Sequence, residues 1–207
     1  MKNYYAKFSK KGENETRVDT RIYFGEDKPD LNNGDCLGIV ILKNPGSAKA
    51  IVRNKLAKLD PDNDKALPWI ENMYRTVMNE LNYEIKDNEY IRVCNLIPLC
   101  EPNISEAIKS LETEKYSIEE INYKEIPFVL YAWGWETELN CYRESYLKIL
   151  AQYNTTAFFV RYDFNGKNRY KIINGQPTLC DKVKHTQGMP QNIVVEKIKE
   201  LLEIKHK

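Results

Sequence analysis

Residues 36–42, CLGIVIL, contain no polar position. A continuous apolar run of this length predicts a strand buried on both faces, as in a parallel sheet. IPFVLYAWG (126–134) and TTAFFVRY (155–162) read the same way. EYIRVCNLIPL (89–99) is strand-like up to about Leu96, where Pro98 and Pro102 force a loop. Between these runs the period changes. Ile70, Met73, Val77 and Leu81 recur at helical spacing, widened by Trp69, Tyr74 and Met78, and predict a helix over 68–82. Asn103 with Glu106 predicts the cap of a short helix carrying Ile104, Ala107, Ile108 and Leu111. Residues 113–124 are polar and expected to be partly helical. Leu139, Tyr142, Tyr146, Ile149 and Leu150 form a third stripe, and Val194, Ile198 and Leu201 a fourth.

The remaining segments are less periodic. Residues 3–9 and 17–25 alternate loosely around KKGENE and predict a β-hairpin or two edge strands. DKPDLNNGD and KLDPDNDKALP read as loops. Asn174-Gly175, within NRYKIINGQPTLC, is a short-range hairpin signal.

From Cys36 onward the order is strand, helix, strand, helix, strand, helix, strand, hairpin, helix. That alternation predicts an α/β three-layer sandwich, with a mostly parallel central sheet flanked by helices. The N-terminal hairpin or edge strands would be added to it. Right-handed crossovers would open the strand C-termini on one edge. The length of 207 residues suits a single domain, with 1–34 as N-terminal strands and loop and 35–204 as the α/β core.

Composition narrows the function classes. The formal net charge is +1, so no global field recruits nucleic acid or a membrane, although a local basic face is compatible with it. The five cysteines are odd in number and lack CxxC spacing, which predicts reduced thiols in a cytoplasmic protein. With only His185 and His206, and no Cys/His clustering, no metal and no cofactor are expected. The first residues, MKNYYAKFSKKGENE, are too polar for a signal peptide. No apolar stretch reaches the ~20 residues that span a bilayer, so no membrane partner is expected.

Four stretches break the plain pattern: Asn44-Pro45-Gly46-Ser47, Asn95-Leu96-Ile97-Pro98, Trp133-Gly134-Trp135-Glu136 and His185-Thr186-Gln187-Gly188. The first three follow predicted buried strands, and the fourth precedes the last helix. In open α/β sheets ligands bind in the crevice outside the carboxyl ends of the strands, so the four are expected to line one cleft. Gly46 either supplies a turn or lets the backbone approach a ligand, with Ser47 and the following N–H groups facing an anion. Asn95 ends a strand where an apolar residue would be usual. Its amide either pairs with loop backbone or reads a polar edge such as a nucleobase. Trp133-Gly134 is either a core aromatic with a turn or a wall of the cleft, which Trp135 or Glu136 could also reach. His185, in a polar turn, would donate to a developing anion. GxxxxGK[ST] and GxGxxG are both absent, which argues against a triphosphate cradle.

In that order, ILKNPGSA, RVCNLIP, VLYAWG and KHTQGMP resemble segments of the domain of unknown function 1643 family, over roughly residues 20 to 192. More distantly, the same skeleton resembles the uracil-DNA glycosylase superfamily. Ser47-Ala48 stands where the first family has Ser-Thr-Ala, and Thr186 follows His185 in place of proline. The resemblance implies a uracil-DNA glycosylase-like fold. It implies that Asn44 positions an attacking water, Asn95 reads the base edge and His185 stabilises the departing base. Trp69 is assigned, by position alone, to stacking on the base. Two functions follow as expectations. One is an enzyme cleaving the N-glycosidic bond of a nucleotide or of a base in DNA, needing no metal. The other is a non-catalytic module that binds a nucleotide, nucleobase or signalling molecule.

Overall fold

The computed structural model describes residues 3–25, 29–61, 64–163 and 169–205. Parts of the two expected loops (residues 27, 28, 62 and 63) and His206 lie outside them. The CLGIVIL run forms β3 (Asp35–Leu42), with Ile39, Val40 and Ile41 wholly enclosed. Alternate residues serve two cores. Val40 and Leu42 join a cluster on one face of the sheet, and Ile39 and Ile41 join another on the opposite face. A strand covered on both sides has no solvent face on which to place polar residues, which explains the unbroken run.

Three strands continue the parallel core: β6 (Glu89–Asn95), β7 (Phe128–Tyr131) and β8 (Thr156–Tyr162). Their spatial order is β6-β3-β7-β8, all parallel. Helices α1 (Ala66–Glu80) and α4 (Gln191–Lys205) cover the first face through Ile70, Met73, Val77, Val194 and Ile198. Helices α2 (Ile104–Thr113) and α3 (Asn140–Leu150) lie on the second face, with Ala107, Tyr146 and Leu150 in its core. The connection leaving β3 therefore runs over one face and that leaving β7 over the other, which makes the β3/β7 boundary a topological switch point.

The whole sheet is mixed, which corrects the expectation of a mostly parallel one. Nine strands pair in the order β4-β5-β1-β2-β6-β3-β7-β8-β9, and only three of the eight pairings are parallel. Strands β1 (Asn3–Lys11) and β2 (Asn14–Tyr23) do form a hairpin. They are interior strands, however, and not edges, because β2 pairs with β6 and β1 with β5 (Leu56–Asp60). β5 and the two-residue β4 (Lys49–Ala50) arise from segments too short or too polar to show a strand period. The Asn174-Gly175 hairpin is also corrected. Strand β9 (Tyr170–Asn174) pairs antiparallel with β8, with Tyr162 opposite Tyr170, so the two are joined through 163–169. Gly175, at φ 98°, instead closes the far end of β9, where its N–H donates to the Ala157 carbonyl.

Helix α1 starts two residues earlier than the periodicity predicts, because Asp64 Oδ1 accepts the N–H groups of Ala66 and Leu67. It stops at Asn82, whose φ of 50° permits the Tyr83 N–H to reach the Met78 carbonyl. Asn103 caps α2 by accepting the Ser105 N–H. Of residues 113–124, expected to be partly helical, Thr113 ends α2 and 114–124 form an irregular strap across the second face. Glu119 fastens it: its carboxylate accepts the backbone N–H groups of Asp19 and Asn95 and the Arg92 guanidinium at 2.9 Å. Tertiary hydrogen bonds of this kind replace those a helix would have made.

Candidate functional site

A cavity of about 590 Å³ opens at the carboxyl end of β3. Leu42, Lys43, Asn44, Gly46 and Ser47 form its floor and one wall, where the chain leaves the sheet. Lys65 and the first turn of α1, through Ala66 and Trp69, supply a second wall. The third comes from the opposite half of the chain, His185 to Gly188. That segment is delivered by the sheet itself. β7 ends opposite Phe159, and beyond it Val183 takes the vacated side of β8, bridging to Arg161 while Lys171 holds the other side. The Lys184 N–H donates to the Val160 carbonyl at 2.7 Å, leaving His185 at the mouth.

His185 is held in one tautomer. Its Nδ1 accepts the Gln187 N–H at 3.2 Å, so the ring proton of the neutral form lies on Nε2. Burial, reinforced by the neighbouring Lys43 charge, pushes its pKa down to about 4. The imidazole is therefore neutral near pH 7, and no described residue engages Nε2. Lys43 is tied back by Glu136 at 2.7 Å. Burial alone would raise the Glu136 carboxyl, but the Lys43 hydrogen bond holds it below its ordinary value. Gly134, at φ 79°, makes this contact possible, since a Cβ there would stand 2.6 Å from Glu136 Oε2.

Pro102 and Ile104, at the start of α2, also line the cavity, as do Arg17, from β2, and Asp64. Arg17 and Asp64 are both buried, and Arg17 Nη1 lies 3.3 Å from Asp64 Oδ2. With Oδ1 capping α1, both oxygens of this carboxylate are engaged. Gly46 packs directly against it, and a Cβ there would stand 3.1 Å from Oδ2. Asp64 thus locks the post-β3 turn, the β2 hairpin and the start of α1 into one frame. Neither residue is prominent in the sequence. The only signal is an aspartate two positions before the first helical residue, the mark of a cap.

The nominated residues separate into two groups. Asn44, Gly46, Ser47, Trp69 and His185 line the cavity, with Pro45 buried between its neighbours. Asn44 Nδ2 donates to the carbonyls of Glu101 and Pro45, and no described residue engages its Oδ1. Asn95, Trp133 and Gly134 do not line it. Trp133 is fully enclosed in the second-face core, 4.8 Å from the Tyr131 ring, with the Arg143 guanidinium over it. Asn95 is also fully enclosed. It stands opposite Leu42 in the ladder, on the face that Val93 shares with the first core. Neither Nδ2 nor Oδ1 of Asn95 has a hydrogen-bond partner among the described residues. Trp135 is half exposed and, like Glu136, is not part of the lining.

Among the described residues no group of three or more His, Cys, Asp or Glu side chains is placed to hold a metal ion. No helix of the described residues is long and apolar enough to cross a membrane. No family model matches the chain, and the comparisons with curated proteins and with solved structures give no match.

Proposed function

We propose that the cleft at the carboxyl end of β3 binds a nucleotide or nucleobase. One observation carries this reading: two polar turns from opposite halves of the chain, Asn44 to Ser47 and His185 to Gly188, meet around one cavity that Trp69 also lines. An indole offers a π-face to any base, and a neutral imidazole with a free Nε2–H donates without adding charge. The cavity volume falls within the ~300–1,000 Å³ range of small-molecule sites. The distant resemblance to uracil-DNA glycosylases supports the same ligand class. A thermal-shift and calorimetric screen against nucleobases, nucleosides and nucleotides tests it. Wild-type protein should respond to at least one, and Trp69→Ala should lose that response. A flat result across the panel would remove the reading.

Recognition without chemistry is what the geometry favours. Among the described residues of the lining the one carboxylate, Asp64, has both oxygens engaged and is not available as a general base. A missing base forfeits roughly 10²–10⁴ in rate. The hydrolytic reading has its own support in His185 and Asn44. The Nε2–H would steady charge on a leaving base, and the free Asn44 Oδ1 would accept a hydrogen bond from water. A base-release assay on uracil-containing and modified-base DNA and on free nucleosides separates the two. Release that His185→Ala abolishes would establish hydrolysis, and no release from any substrate would leave binding alone.

A further inference from the structure

Resting on the reading of the cleft as a nucleotide site, we propose that it selects a phosphate-bearing ligand and seats the phosphate against Arg17 and Lys65. Among the described residues the ionisable lining is one-sided: Arg17, Lys43 and Lys65 face a single carboxylate, Asp64, beside the neutral His185. Lys43 is engaged by Glu136. Lys65 is exposed and has no partner among the described residues.

Arg17 is the more telling group. Its side chain is 1 % exposed, yet among the described residues only Nη1 meets an acceptor, Asp64 Oδ2 at 3.3 Å. Its Nε is enclosed with no acceptor among the described residues. A guanidinium carries five donors in a planar fork, and buried donors left unmade are costly. A forked cation that lines a cavity with unused donors is the complement of a phosphate, which accepts two parallel N–H bonds. A free aliphatic ammonium at the adjacent edge adds a point charge for the remaining oxygens. The resulting ligand is a nucleotide with its base towards Trp69 and its phosphate towards the start of α1. The phosphate could be that of a free mononucleotide or of a single-stranded polynucleotide, since both present the same oxygens.

Calorimetry on the full chain distinguishes these cases. The probes are the common ribo- and deoxyribonucleosides, their 5′-monophosphates, inorganic phosphate and a short single-stranded oligonucleotide. A monophosphate should bind about tenfold or more tightly than its nucleoside, the effect of one charge-assisted contact. Lys65→Glu, a change at an exposed position, should bring the monophosphate down to the nucleoside level. Arg17→Lys, which keeps the charge but loses the fork, should do the same if it folds. An oligonucleotide that binds more tightly than the mononucleotide, and loses that advantage in Lys65→Glu, supports the seat and assigns its source. Equal binding of nucleoside and monophosphate, or a preference that survives Lys65→Glu, overturns the phosphate seat while nucleoside recognition stands. No binding by any probe overturns both.

Discussion

Arg17 Nη1 and Asp64 Oδ2 stand 3.3 Å apart with both side chains almost wholly buried, 1 % and 3 % exposed. The pair joins the N-terminal hairpin to the start of α1 at the back of the cleft. Removing one partner of a buried ion pair leaves an uncompensated charge and costs about 3–5 kcal/mol. Asp64→Ala should fall in that range, because it also strips the cap from Ala66 and Leu67. Asp64→Asn keeps an acceptor for the cap and should cost less. Urea denaturation of the two variants checks the order, and equal stabilities would contradict the dual role.

The depressed pKa of His185 makes stability depend on pH in a defined window. The unfolded chain takes up this proton near pH 6.5 and the folded chain only near pH 4. Between those values the unfolded state binds more protons, so stability rises with pH. The contribution is complete above pH 6.5 and is lost as pH falls through 4, with a slope of at most about 1.4 kcal/mol per pH unit. His185→Gln should flatten the profile between pH 4 and 6.5. If it leaves the slope unchanged, the titrating group is another.

Asn95 carries a buried amide with no partner among the described residues. Replacing such a group by an apolar one of similar size is close to neutral or stabilising. Asn95→Leu should therefore leave stability unchanged or raise it by about 1 kcal/mol. Because Asn95 does not line the cavity, the same variant should leave nucleotide binding unchanged. A stability loss above about 2 kcal/mol would show that the amide is bonded within the folded protein.

Gly134 lies at φ 79°, with Glu136 Oε2 and Lys43 Cδ at 2.6 and 3.2 Å from where a Cβ would be. Alanine there is strained in its backbone and also pushes Glu136 away from Lys43. Gly134→Ala should lower stability by about 1–3 kcal/mol, read by thermal denaturation. A variant as stable as wild type would mean that the loop has another accessible conformation.

Local patterns in the chain already specify the parallel core. An unbroken apolar run such as CLGIVIL records a strand covered on both faces. The Ile70–Val77 stripe records one helix face against it, and Asn103 marks the start of the next helix. Each is a statement about a residue's own burial or its nearest neighbours along the chain, and periodicity reports such things directly. The rim turns at Asn44 and His185 stand out for a related reason, being polar clusters next to buried segments.

Tertiary structure alone decided which segments became neighbours. The β1–β2 hairpin sits inside the sheet because β2 found β6 and β1 found β5, an outcome of ladder pairing that no alternation encodes. Strand β9 took β8 and not a partner across Asn174-Gly175, because pairing with an existing core strand outweighs a favourable turn. Trp133 and Asn95 followed the pleat into opposite cores, since a one-residue step along a strand reverses the face. Arg17 and Asp64 lie 47 residues apart, and nothing local marks them as partners. Their ion pair exists because folding buried both charges at one place, where each needed the other.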